Sequence, residues 1–399
     1  MKLKKIILFF SLLLVTSRTW SADLSLNDYL KDVSEKNLTL KSQKASLDAS
    51  QARAIGVHIP PPMLAVSQMR DQSGTANNFE VSQTIPFPTK LSNDHSAREL
   101  EAQAEGANFS VMQGEILAKA RLIYISTWLT QEKVKFLDEQ KSVIQQHIKL
   151  VTASARSDSS LRIHLLKAES DSDLLDNEIL ETEQTVREKQ IQLAEFAGKN
   201  PMTYQPSLLE PPLSKIPTAS EMSQPMQLEV KRFNFEKLKA RESEASSLWL
   251  PDISLRYREM GGGTTMMSKW NEVMVGVSLP FIFFWEPHAA SQAAAAERYQ
   301  GEVELSQAQL KIDSRKASLL AKAESLKKEL AQIKDKLLPR AEKRMHLLNN
   351  IAPRDMESLK EHREAMEDFP ILKLKALDLR EQFEAAIAEL SSFTSGVSP

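Results

Sequence analysis

Between Leu91 and Val151 the chain has no proline, and Ile116, Ala120, Ile123, Thr127, Thr130, Val134, Leu137, Lys141, Ile144, Ile148 and Val151 recur in alternating steps of four and three. Most of these positions are apolar, which is the pattern of a coiled-coil seam. At ~1.5 Å per residue such a helix reaches roughly 90 Å. A compact domain has no use for that length, and a single seam so long must find a neighbour. Leu372, Ala376, Leu379, Phe383, Ala386, Leu390 and Phe393 keep the same beat near the C-terminus. Pro370 stands just before that register and predicts a kink or a stutter. Further helical patterns cover 25–56, 159–197, 221–247 and 288–349, with Pro339 expected to bend the last.

Short strands interrupt this helical pattern in pairs. In "FEVSQTI", Phe79, Val81, Gln83 and Ile85 alternate with Glu80, Ser82 and Thr84. In "NEVMVGVSLPF", Val273, Val275, Val277, Leu279 and Phe281 share one face, against Glu272, Met274, Gly276 and Ser278. "DISLRYR" sets Ile253, Leu255 and Tyr257 against Ser254, Arg256 and Arg258, while "MLAVSQMR" (63–70) has a muddled period. Alternation with a period of two gives each strand one apolar and one polar face. Turn-rich loops, "DQSGTANN" and "MGGGTTMMSK", join the strands of each pair. Pro86 and Pro280 then end the ladders, because proline has no backbone donor. Phe281, Phe283, Phe284 and Trp285 cluster where the last strand gives way to helix, as aromatic girdles do at a membrane interface.

The chain therefore repeats one plan: helix, strand, loop, strand, proline, very long helix, turn, helix. "IPPPMLAV" pairs with "WLPDISL", "SQTIPF" with "GVSLPF", Gly106 with Gly301, and the turn "ARSDSSL" (155–161) with "APRDMESL" (352–359). The first repeat is expected over 23–198 and the second over 221–399. Between them, 199–220 carries Pro201, Pro206, Pro211, Pro212 and Pro217 and reads as a linker or equatorial segment.

Residues 1–22 read as a secretory signal peptide, with Lys2, Lys4 and Lys5 before an apolar run from Ile6 to Val15 and small residues after it. Its removal takes basic and no acidic residues from a chain with 51 basic and 53 acidic ones, so the mature chain is acidic and no nucleic-acid partner is expected. With no cysteine there is no disulfide, no thiolate metal site and no lipid attachment at an N-terminal cysteine. No later apolar run has the ~18 residues of a membrane helix. Isolated hairpins with one apolar face leave edges that no bilayer tolerates. Four strands are also too few for a barrel, which takes about eight. The chain reads as a bacterial envelope protein, free in the periplasm or inserted as a β-barrel; in a barrel several chains must contribute strands, and a ring of chains gives the long helices their neighbours as well.

No Ser/His/Asp set and no carboxylate pair can be assigned to a common pocket, so no catalytic residue is expected. His58, His95, His147, His164, His288, His346 and His362 show no i, i+4 pairing, so no metal site is assigned. Met266 and Met267 read as loop residues, "MGGGTT" lacks the Lys-Ser/Thr of a phosphate loop, and "NLT" at Asn37 falls inside a predicted helix. No cofactor is expected.

From "LSLNDYLKDVSEKNLTLKSQKASLDASQARA" to "EQFEAAIAELSSF" the mature chain resembles the TolC-like outer-membrane efflux proteins, the exit ducts of tripartite pumps. "PPPML", "VSQTIPFPTKL" and "VGVSLPF" look most like the heavy-metal cation branch, and "KLLPRAEKRM" resembles the segment that leads the family's second long helix to its tip. The resemblance implies a homotrimer, mainly α with a small β part, in which four strands per chain build a twelve-stranded barrel and the helices a long periplasmic α-barrel. It implies a passive channel, with a periplasmic adaptor, an inner-membrane pump and outer-membrane lipid as partners. Thr89 stands where the family has a glycine after "PFP", and both tip turns lack the usual glycine. If the long helices start at the membrane and run unbroken, those turns lie deepest in the periplasm. There Arg156 and Asp158, with Arg354 and Asp355, become a candidate gate and docking site. Exposed pairs of this kind are worth only ~0.2–1 kcal/mol, and the same residues fit ordinary polar turns. A periplasmic adaptor or a structural coiled coil are the alternatives; the first would carry one helical hairpin between β-domains, and the second would need no alternating strands.

Overall fold

The structure, a computed structural model, describes residues 23–71, 74–154, 159–218, 220–222, 225–261, 270–349 and 356–393. The first repeat begins with helices α1 (Leu26–Lys36) and α2 (Leu38–Ala54) and continues into strands β1 (Met63–Asp71) and β2 (Gly74–Ile85). Helices α3 (Pro88–Ser154) and α4 (Ser159–Phe196) complete it. The second runs through α5 (Met226–Ser247), β3 (Ile253–Met260), β4 (Trp270–Val277), α6 (Trp285–Gln332), α7 (Leu338–Asn349) and α8 (Met356–Ser391). Helix α3 alone has 67 residues, about 100 Å at ~1.5 Å each.

Several expectations are corrected. The helix predicted over 25–56 is two helices, broken at Asn37. The Asn37 side chain accepts from the Leu40 N–H at 3.1 Å and donates to the Phe196 carbonyl at 3.0 Å. A short amide that satisfies an orphan donor starts a new helix better than it continues an old one. Helix α5 begins only after Pro225. The helix predicted over 288–349 starts at Trp285 and widens into a π turn at Ile333–Leu337. Pro339 explains the widening: it has no N–H for the carbonyl one turn back, and its ring crowds that carbonyl. Pro370 does not end α8, which continues through it to Ser391.

Each repeat has its own core. In the first, Tyr29, Leu30 and Val33 of α1 pack with Ile116, Ala120, Tyr124 and Ile125 of α3 and Leu193 of α4. In the second, Leu319, Ala323, Leu326 and Leu330 of α6 pack with Ala376, Leu379, Phe383, Ile387 and Leu390 of α8. The paired glycines occupy matching places. A Cβ on Gly301 would lie 2.5 Å from the Leu238 Cδ1 of α5, so a larger residue there must push that methyl aside, whereas a Cβ on Gly106 of α3 would meet Leu47 of α2 at an ordinary 3.8 Å. The strands form one antiparallel sheet in the order β1-β2-β3-β4.

Candidate functional site

Register brings the alternating residues into two faces. On one, Ile85, Ile253 and Val277 share a row, Leu255 and Val275 the next, and Leu64, Val81, Tyr257 and Val273 a third. Val66 and Phe79 follow, beside Glu259 and Asn271, where the apolar band ends. Val273, Val275 and Val277 are 75%, 64% and 55% exposed, so nothing among the described residues covers them. Gln83 is the polar exception in this band, and its amide donates to the Pro60 carbonyl at 2.6 Å and the Thr84 carbonyl at 2.9 Å. The opposite face carries an ion-paired row. Glu80 takes Arg258 at 2.7 Å and Arg256 at 3.1 Å, and Glu272 lies 3.9 Å from Arg258.

Where the strands leave the sheet, Asp252 holds both exits. Pro86 ends β2, and the next donor, the Phe87 N–H, is capped by Asp252 Oδ1 at 3.1 Å, with Lys90 Nζ 2.8 Å from the same oxygen. On the other side the Asp252 N–H donates to Ser278 Oγ at 2.7 Å, and the Ser278 N–H to the Asp252 carbonyl at 2.9 Å. Ser278 is therefore a partner of Asp252 just beyond β4, rather than one more position on the polar face. Pro280 opens a short 3₁₀ turn over 280–283 that contains Phe281 and Phe283. Phe284 and Trp285, 60% and 58% exposed, meet edge to face at 5.4 Å. An exposed tryptophan, whose ring carries a polar N–H, beside an exposed phenylalanine just past the strand end suits an interface.

The proline-rich segment is packed rather than free. Leu24 and Leu208 form a β-bridge, and the Tyr124 hydroxyl donates to the Leu24 carbonyl at 2.6 Å, with the Leu209 carbonyl 2.9 Å away. Burial pushes the Tyr124 hydroxyl up to about 12, does the same for Tyr204, and lifts Tyr29 beyond its ordinary range. Farther on, the Ser214 N–H donates to the buried Glu384 carboxylate at 3.0 Å, its hydroxyl donates to the same carboxylate, and Arg121 donates to Ser214 Oγ at 2.9 Å. Arg380 donates to the Pro211 carbonyl at 2.6 Å and stacks 4.9 Å over Trp128. Lys189 of α4 donates to Thr130 of α3 at 2.9 Å and lies 3.1 Å from Glu381 of α8. Linker, α3, α4 and α8 are thus tied together at one level.

Toward the far ends of the helices, α3, α4 and α8 enclose a groove of about 340 Å³, lined by Leu137, Ile144, Val151, Leu175 and Pro370, with His147 and His164. The tip residues Arg156, Asp158, Arg354 and Asp355, and the loop residues Met266 and Met267, lie outside the described residues. Among the described residues no group of three or more His, Cys, Asp or Glu could hold a metal ion, and no helix is long and apolar enough to cross a membrane.

No protein-family model and no curated protein sequence matches the chain. Solved structures do. The chain is similar to the Campylobacter jejuni CmeC outer-membrane channel, with a TM-score of 0.79 and 11% identity over 92% of this chain and 85% of that one. It is similar to CusC, a transmembrane channel, with a TM-score of 0.78 and 14% identity over 94% and 93%. The open state of the Neisseria gonorrhoeae MtrE outer-membrane channel matches with a TM-score of 0.78 and 12% identity over 92% and 88%. The chain has the fold of these outer-membrane channels over nearly its whole length, the fold that the resemblance implied. Sequence reasoning missed Asp252, whose one visible signal was its place directly after Pro251 at the start of a repeat strand.

Proposed function

We propose that this chain is the outer-membrane exit duct of a tripartite efflux system, acting as a homotrimer. The observation that carries the reading is the sheet. Its apolar face is exposed, and its two outer strands, β1 and β4, are open and run in opposite directions. Copies placed side by side therefore pair β4 of one with β1 of the next in the same antiparallel sense, and the ring can close without leaving an edge in lipid. Exposed Ile163, Leu166, Leu174 and Leu180 on α4, with Tyr299 and Leu310 on α6, support helix contacts between copies. Near-complete coverage by the fold of outer-membrane channels supports the same assembly. The signal peptide delivers the chain to the envelope, lipid meets the apolar band, and the helices extend into the periplasm. There an adaptor and an inner-membrane pump deliver the solute, and the duct does no chemistry.

The tips with Arg156, Asp158, Arg354 and Asp355 form the gate and the docking surface in this reading, and the motif resemblance around "VSQTIPFPTKL" and "VGVSLPF" favours heavy-metal cations as cargo. Light scattering on detergent-extracted membranes tests the assembly: a trimer is expected, and a soluble monomer refutes it. Deletion of the gene tests the cargo. Sensitivity to copper, silver, zinc or cobalt is expected, whereas unchanged metal tolerance with new sensitivity to dyes or detergents makes the cargo organic.

A further inference from the structure

On the polar face of the sheet, charge is concentrated in two adjacent rows. One row holds Glu80, Arg258 and Glu272, opposite Ala65 on β1; the next holds Ser82, Arg256 and Met274. Toward the helices the same face continues with Thr84, Ser254 and Gly276, and toward the loops with Ser67, Asn78, Met260 and Trp270. Among the described side chains, every charge on this face lies in those two rows, which span about 7 Å of strand. Glu80 is the centre of the group. One of its oxygens accepts from both Nε (2.9 Å) and Nη2 (2.7 Å) of Arg258, and the other lies 3.1 Å from Arg256. A single carboxylate thus engages two guanidinium groups, while Glu272 stands off at 3.9 Å.

We propose that Glu80, Arg256, Arg258 and Glu272 form a charge-balanced belt around the lumen of the β-barrel that leaves the duct without preference for either sign of ion, and that Glu80 keeps the belt neutral by masking both arginines. This rests on the reading of the sheet as part of a closed barrel. Two arginines balance two glutamates in each chain, so the intact belt favours neither sign. Loss of Glu80 uncovers paired positive charge at one height of the wall, where low-dielectric surroundings focus its field into the lumen. The belt then attracts anionic solutes and repels cations.

The test is the reversal potential of the purified full-length protein in a planar bilayer under a potassium chloride gradient. Glu80→Gln is expected to move it toward the chloride potential and Arg258→Gln toward the potassium potential. Both shifts are strong at 0.01 M salt, where screening extends to ~30 Å, and vanish at 1 M, where it is ~3 Å. Ala65→Lys places the same added positive charge opposite Glu80 without removing a pair; it is expected to follow Glu80→Gln, and it decides the matter if the pair-breaking variants fail to insert. Channels that conduct with an unchanged low-salt reversal potential, or that shift the same way for Glu80→Gln and Arg258→Gln, overturn the belt and leave the duct standing. Absence of conductance in the wild-type protein overturns the duct and the belt together.

Discussion

Arginine substitutions along β4 test the membrane face of the sheet. The apolar-face positions of β4 run Asn271, Val273, Val275 and Val277, with polar Asn271 at one end and, beyond Val277, the exit held by Asp252 and Ser278 at the other. Val275 lies midway between Val273 and Val277 and is 64% exposed, so in the chain alone its side chain loses little by replacement. The cost comes from the bilayer. An arginine at the midplane of a barrel wall costs ~2–4 kcal/mol, falling to ~0–1 near the interfaces. Val273 and Val277 lie about 7 Å along the strand on either side, at ~3.4 Å per residue. Stability should therefore fall most for Val275→Arg, less for Val273→Arg and Val277→Arg, and by ~0–1 kcal/mol for Asn271→Arg. Ala65→Arg on the opposite face, beside Glu80, should change it by no more than ~0.5 kcal/mol. Urea unfolding in lipid vesicles at one fixed protein concentration measures each value, with unchanged m confirming that only stability moved. A flat profile along β4, or an Ala65→Arg loss equal to that of Val275→Arg, refutes the assignment of the faces.

Asp252→Ala should cost ~1–3 kcal/mol, since it leaves the Phe87 N–H without its acceptor; Asp252→Asn, which keeps that acceptor and loses the Lys90 charge pair, should cost distinctly less in the same urea assay. The tyrosines of the first core and the linker predict alkaline lability. Burial raises the folded-state values of Tyr124 and Tyr204 from 10.0 to about 12, so their contribution is fully present below pH 10 and is lost as pH rises from 10 through 12. Thermal melts across that range should show a fall that Tyr124→Phe reduces. The double substitution Asp158→Ala and Asp355→Ala should raise single-channel conductance in planar bilayers, most clearly at low salt. Wild-type conductance would leave these turns as docking surface alone.

The parts of this fold that depend on local periodicity were legible in the sequence. Ile116, Ala120, Thr127, Leu137 and Val151 of the seam are buried, as are Ala376, Leu379, Phe383, Ala386 and Leu390, because a helix face is set by spacing alone. Strand alternation likewise separated Val273 and Val275 from Glu272. Features that depend on what meets what across the fold were hidden. Asp252 caps a donor 165 residues earlier in the chain, and nothing near it in sequence announces that distant partner. The row through Glu80, Arg258 and Glu272 exists only once three strands are in register. Asn37 was misread because an asparagine within a helical pattern becomes a break only when its amide finds the Phe196 carbonyl of another helix. Prolines near 211 gave a linker by composition, yet Arg121, Arg380 and Glu384 turn that segment into part of the packed middle.

Asp252 also bears on the inheritance of a chain that repeats itself. It belongs to the second half and serves the exit of the first, while the residue just before β1 is Pro62, whose side chain has no acceptor to offer in return. The halves have ceased to be interchangeable. Recombination that exchanges one half for that of a relative must bring a side-chain acceptor at this place or strand the Phe87 amide, and drift at position 252 is judged by a segment encoded far upstream.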